Sequence, residues 1–215
     1  MNNFMSISKG KIFGVGLGPG DPSLMSVKAD KLIRNARHVA FFRKFGRSGH
    51  ALKIVEKLIS KETIQTPMEY PVTTEISYKD PRYNKILSVF YEECTNKIKS
   101  ISEQGEDVCI LCEGDPFFFG SFMHLYTRLK ADHVIEVIPG ITGMSGAWSA
   151  TYEPITWGDD VLTVLVGTLE ETELTQRMSN AQALVIMKIG QNFEKICQSL
   201  KKNNLFHRAW LVEYA

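Results

Sequence analysis

Three short stretches of this chain combine bare backbone with polar side chains in a way that could seat a ligand. The first is Gly14-Val15-Gly16-Leu17-Gly18-Pro19-Gly20-Asp21-Pro22, between a strand-like run and a helical one. Glycine lets backbone approach a ligand closely, and a helix start turns its free N–H groups toward it. The spacing is not that of a dinucleotide fingerprint: from Gly14 the pattern needs a glycine where Pro19 stands, and from Gly16 one where Asp21 stands. No acidic residue closes the second strand, which runs into Arg43 and Lys44, and Arg43 alone leaves a minor NADP-type reading. Asp21 and Pro22 read as the cap and first residue of the following helix.

The second stretch is Glu113-Gly114-Asp115-Pro116-Phe117-Phe118-Phe119-Gly120-Ser121, again between a strand and its helix. Ligands in open α/β sheets bind beyond the carboxyl ends of strands, so these two loops are expected to face one cleft. Phe118 is assigned to flank a flat ligand such as adenine, and Phe117 and Phe119 to the core. The third stretch, Pro139-Gly140-Ile141-Thr142-Gly143-Met144, places small residues and a hydroxyl after a further strand, with Thr142 as a candidate helix cap. The five histidines show no metal-ligand spacing. Neither a nucleophile elbow nor a Walker loop occurs, which leaves acyl transfer and phosphate hydrolysis without support.

The elements that must hold these loops alternate. Strand-like runs at 11–16, 38–42, 107–112 and 135–138 interleave with helical patterns, which predicts an α/β architecture with a largely parallel sheet. Between 83 and 102, Ile86, Leu87, Phe90, Cys94, Ile98 and Ile101 lay one apolar stripe against the sheet. Leu24, Val27, Leu32 and Ile33 do the same after the first strand, and Phe122, Leu125 and Leu129 after the fourth. Residues 70–81 show no period and carry two prolines, so they read as a loop. The boundary is placed at Pro139-Gly140, giving an N-terminal α/β domain, 1–139, and a C-terminal one, 140–215. Strands are expected at 162–166, 184–189 and 209–212, with a helix from Phe193 to Lys202. A chain stopping at Ala215 on a bare strand reads as shortened at its C-terminal end.

Cys109 and Cys112 have redox or metal spacing, but residues three apart on a strand point to opposite faces and cannot share a ligand. They read as core. With 215 residues, 44% of them hydrophobic, the chain can bury a substantial interior. Lys and Arg number 25 against 24 Asp and Glu, so the charge of +1 points to neither nucleic acid nor an anionic membrane. No apolar run approaches the roughly 20 residues of a membrane span, and the first residues lack the pattern of a secretory signal; the cytoplasm is the expected location.

Taken together and in this order, the three loops resemble the tetrapyrrole methylase family, over essentially the whole chain: Gly-x-Gly-Pro-Gly-Asp-Pro, then Gly-Asp-Pro-Phe, then Pro-Gly-Ile-Thr. Residues 112–126, 70–75, 185–190 and 212–215 further resemble the branch that methylates C20 of precorrin-2 in cobalamin synthesis. The resemblance implies a two-domain, non-Rossmann α/β fold of the class III methyltransferases, S-adenosylmethionine in a cleft between the domains, S-adenosylhomocysteine as product, and a homodimer. Transferred by motif, the cofactor contacts are Pro19, Glu113, Gly114, Asp115, Phe118, Thr142 and Gly143, with Ala215 and either Met187 or Lys188, because the sequence there runs one residue longer than in the uroporphyrinogen methylases. Arg43 and Tyr70 are the expected substrate contacts, a cation and a loop residue for a many-carboxylate tetrapyrrole. The acidic residue that follows the second strand in those methylases has no counterpart beside Phe42 and Arg43, so no catalytic base is assigned. Cobalt-factor II, uroporphyrinogen III, a protein substrate of the diphthine type, and a binding protein without turnover stay open as alternatives.

Overall fold

An apolar run without polar alternation has to be covered on both faces, and the first part of the chain meets that demand with helices on each side of a parallel sheet. The structure is a computed structural model and describes residues 8–72 and 80–213. In order come β1 (Ile12–Gly16), α1 (Val27–Arg34), β2 (His38–Lys44), α2 (His50–Val55), β3 (Ile64–Tyr70), α3 (Pro81–Glu103), β4 (Val108–Cys112), α4 (Phe122–Leu129) and β5 (Ile135–Ile138). The strands lie in the order β3-β2-β4-β1-β5, all parallel. β1 and β4, at the middle, are buried at every position.

Handedness explains which helix covers which face. From β1 to β2 to β3 the chain steps outward in one direction, and α1 and α2 pack on one face through Ala29, Ile33, Ala51 and Val55. From β3 to β4 to β5 it steps back, so right-handed crossovers place α3 and α4 on the other face, through Phe90, Cys94, Ile98, Phe122, Leu125 and Leu129. This order differs from the 3-2-1-4-5-6 of a dinucleotide-binding sheet. Gly14 has no side chain because the Phe122 ring occupies its place: a Cβ there would lie 2.3 Å from that ring.

β3 was not legible as a strand. It pairs only with β2, its centre holds Pro67, and Met68 is its one fully buried residue, as suits an edge position. Tyr70 is therefore the last residue of a strand and not part of a loop. The first helix starts differently too. Asp21 accepts from Ser23 N and opens a 3-10 turn, Pro22–Leu24, while Ser26 caps α1 itself by accepting from Ala29 N.

A second compact unit runs from Met144, with the first ending at Gly143. α5 (Gly143–Thr151) begins at that point, followed by β6 (Leu162–Val166), α6 (Glu171–Ser179), β7 (Ala183–Met187) and α7 (Phe193–Lys202). β6 and β7 form a parallel pair, and Leu165, Leu174, Met178, Ile196 and Leu200 make the core of this unit. The strand expected at 209–212 does not form: a 3-10 turn, Phe206–Arg208, leads into irregular chain in which Trp210 and Leu211 are exposed. Apolar residues become a strand only where a neighbour supplies the ladder, and β6 and β7 are the two strands of this sheet. Among the described residues no helix is long and apolar enough to cross a membrane.

Cys109 packs against the α1 and α2 layer, whereas Cys112 packs against α3 and α4, on opposite faces of β4 as the strand period requires. Burial pushes the Cys94 and Cys109 thiols up to about 12 and raises Cys112 as well. Thiolate is the reactive form. Ellman's reagent should therefore titrate the half-buried Cys197 first in native protein and reach the other three only on unfolding. Rapid native labelling of Cys109 or Cys112 would contradict this packing.

Candidate functional site

β1 lies between β4 and β5, so the loops that leave these three strands emerge side by side at their carboxyl ends. What joins the loops is backbone. Leu17 N donates to Cys112 O at 2.9 Å, and Gly18 and Gly114 form an antiparallel bridge, Gly114 N to Gly18 O at 2.8 Å and Gly18 N to Gly114 O at 3.3 Å. Gly18 and Gly114 both take the left-handed conformation, φ +78° and +63°, which side chains resist. Gly140 and Gly16 meet so closely that a Cβ on Gly140 would lie 2.1 Å from Gly114 O and 2.9 Å from Gly16 Cα.

Asp115 fastens this arrangement. One carboxylate oxygen accepts from Phe117 N at 2.8 Å, turning the loop on itself, and the other accepts from Gly140 N at 3.1 Å, tying the second loop to the third. Asp115 thus shapes the site through backbone N–H groups, which bind a carboxylate strongly. Phe118 is half-buried with its ring 4.7 Å from that of Phe119. Phe119 is not a core residue: it is 43% exposed and sits at φ +56°, a conformation in which a branchless backbone would be easier. Phe117 is likewise 46% exposed, although its ring packs edge-on to Tyr126 at 4.8 Å.

The remaining first-unit residues fall around this centre. Pro19 is half-buried between Gly18 and Gly20. Thr142 is half-buried directly before α5, and a side chain on Gly143 would meet nothing within 4 Å. Glu113 is exposed; burial of its carboxyl pushes its pKa up, against His50 and the Ala51 N–H, and solvent offsets part of that penalty. Met187 and Lys188 belong to the second unit: Met187 ends β7, accepting from Gly167 N at 2.7 Å, and Lys188 follows in the left-handed region at φ +55°. Ala215 lies outside the described residues.

Two expected substrate contacts have internal partners. Arg43 stands opposite Glu69 in the β2–β3 register and forms an ion pair with it at 2.8 Å, both side chains about one-third exposed. Its cation is already engaged, and the reason was hidden because β3 was not recognised. Tyr70 points into the first unit, stacked on Phe42 at 5.6 Å and hydrogen-bonded to Ser121. Lys44 and Arg47 are exposed at the same strand end, as is Phe45. Sequence reasoning placed Gly16, Gly140 and Ser121 in the three loops without giving each a role, and it missed Tyr91. The Pro-Gly pair and the strand-ending glycine were the available signal for the first two. Among the described residues no three His, Cys, Asp or Glu side chains gather to hold a metal.

Arranged in this way, three bare-backbone loops meet beside open space at Gly143, with a flat ring at Phe118. That fits a nucleoside cofactor recognised through backbone, and it offers no activated nucleophile. A family described as Tetrapyrrole (Corrin/Porphyrin) Methylases matches residues 11–215. The chain is 44% identical, over 96% of its length and 84% of the relative's, to a precorrin-2 C(20)-methyltransferase of Sinorhizobium sp. It is 24% identical, over 96% of its length and 84% of the relative's, to a cobalt-precorrin-2 C(20)-methyltransferase of Salmonella typhimurium. The fold is also that of the uroporphyrin-III C-methyl transferase from Thermus thermophilus complexed with S-adenyl homocysteine, with a TM-score of 0.61 at 21% identity, covering 90% of this chain and 72% of that one.

The glycine contact can be tested without any ligand. Gly140→Ala should cost about 3 kcal/mol in chemical unfolding, or prevent soluble folding, because the new methyl has backbone and no flexible side chain to displace. Gly143→Ala, with open space around it, should stay within about 1 kcal/mol of the unsubstituted protein. Equal stability of the two variants would show that the loops do not meet as described.

Proposed function

The chain belongs to the tetrapyrrole (corrin/porphyrin) methylases, and from that premise we propose that it transfers the methyl group of S-adenosylmethionine to C20 of precorrin-2, giving precorrin-3A and S-adenosylhomocysteine in cobalamin biosynthesis. The observation that carries the choice of substrate is the 44% identity to the precorrin-2 enzyme, against 24% to the enzyme named for the cobalt complex. The same reading takes the protein to be a cytoplasmic homodimer acting on a free tetrapyrrole, with no nucleic-acid or membrane partner; a net charge of +1 supports the last point.

The chemistry asks little acid–base work of the protein. When bound, the cofactor supplies an electrophilic sulfonium methyl and a thioether leaving group. Methyl transfer would join that methyl to an electron-rich tetrapyrrole carbon as the carbon–sulfur bond breaks, and the proton displaced from that carbon would pass to water. This chain's residues contribute placement, which for two well-oriented reactants is worth about 7–11 kcal/mol of the barrier. Gly18, Gly114, Thr142 and Gly143 would present backbone and hydroxyl to the cofactor, with Pro19 and Glu113 at the rim. Phe118 would lie against its nucleoside. Met187 or Lys188 is assigned to the cofactor by its motif. Beyond β2, Arg43 is held by Glu69, and the exposed Arg47 is the cation assigned to the substrate carboxylates.

Two measurements test this. In the first, protein is incubated with methyl-labelled S-adenosylmethionine and either precorrin-2 or its cobalt complex, and the tetrapyrroles are weighed by mass spectrometry. Label in the metal-free product is expected; label confined to the cobalt complex would move the protein to the other substrate. In the second, Asp115→Ala leaves the Phe117 and Gly140 N–H groups without their acceptor, a loss of about 1–3 kcal/mol of stability. The folded variant is expected to lose S-adenosylhomocysteine binding, and full affinity would remove Asp115 from the site.

A further inference from the structure

Ser121 stands at the position of a helix-capping residue and does not cap. It precedes α4 with backbone already helical, φ −70° and ψ −19°, and its side chain makes no bond to the helix's own N–H groups. Serine is favoured at that position because of such a bond, so its hydroxyl has been committed elsewhere. It shares a hydrogen bond with the Tyr70 hydroxyl, and Tyr91 donates to its Oγ at 3.3 Å. Three hydroxyls from three elements therefore converge: the end of β3, the middle of α3 and the start of α4.

Rings fix the two tyrosines. Tyr70 packs against Phe42 at 5.6 Å and Phe90 at 5.0 Å, and Tyr91, only 5% exposed, stacks on His124 at 4.1 Å. Burial pushes both phenols up, so both stay protonated. The loop that ends at Ser121 needs such an anchor. It holds Phe119 at φ +56°, and an unfavourable conformation persists only where the surroundings determine it. Asp115 fixes one end of this loop to Gly140 in the loop after β5, and at the other end stands Ser121.

We propose that Tyr70, Ser121 and Tyr91 are positioning residues that set the far end of the Glu113–Ser121 loop, and with it Phe118, for cofactor binding. Tyr70 thereby acts through the loop and not by touching substrate. The inference rests on the reading of this loop as the cofactor site.

Calorimetric titration of the full chain with S-adenosylhomocysteine tests it, together with KM for S-adenosylmethionine and kcat. The variants are Tyr70→Phe, Tyr91→Phe, Ser121→Ala and Ser121→Thr. Thr95→Val is the control, since it removes a buried hydroxyl that donates to Tyr91 O at 2.7 Å and has no bond to the loop. Ser121→Ala and Tyr70→Phe should weaken binding about tenfold, with KM rising more than kcat falls. Tyr91→Phe should have a smaller effect, and Ser121→Thr should restore affinity to within about twofold because it keeps the hydroxyl. Thr95→Val should lower the melting temperature and leave affinity unchanged. Unchanged affinity in Ser121→Ala and Tyr70→Phe, or an equal loss in Thr95→Val, overturns the positioning role while the cofactor reading stands. Failure of the unsubstituted protein to bind S-adenosylhomocysteine overturns the reading and this inference with it.

Discussion

The contact on which the rest of the molecule depends is the meeting of Gly16, Gly114 and Gly140 at the carboxyl ends of β1, β4 and β5. No side chain separates these backbones, and a single methyl on Gly140 would lie 2.1 Å from a carbonyl oxygen. Three loops that would otherwise diverge over the sheet are held together, and hydrogen bonds between Gly18 and Gly114 complete a small piece of structure above the strands. The sheet order is the precondition, since only with β1 between β4 and β5 do these ends become neighbours. Fold and candidate site are thus a single constraint: the reversal that sends α3 and α4 to the second face also brings these three loops together.

Charge and hydroxyl groups then divide the work of holding the loops. Asp115 uses both carboxylate oxygens on backbone N–H groups, and Arg43 uses its guanidinium on Glu69, so both charges help to set the shape of the loops and strands around them. Such internal use suits a site whose reaction needs alignment more than proton transfer. Backbone donors already fixed in place lose little freedom on binding, which favours affinity over adaptability.

Much of this was legible in the sequence. β5, β6 and α7 were placed at their observed bounds because their apolar periods are strong and their flanking residues punctuate them. The three loops were found because glycine and proline mark where backbone must do what side chains cannot. β3 was lost because an edge strand needs only one buried face and tolerates Pro67, which erases the usual signal. That loss concealed the Arg43–Glu69 pair and moved Tyr70 into a loop, since both depend on a strand register that no local pattern states. The opposite error came at residues 209–212, where strand-like composition had no partner strand to pair with. The aromatic run misled in the same way: Phe117 and Phe119 are apolar residues held half in solvent by the geometry of the loop.

Pro67 has a consequence away from the site. Among the described residues β3 is an edge strand of the five-stranded sheet, with a row of backbone donors and acceptors onto which a strand from another chain could add. A proline in the middle of that row removes a donor where an invading strand would need it, and it stiffens the backbone against flattening. The residue that made the strand hard to recognise is the one that discourages this edge from templating aggregation as chains crowd together during synthesis.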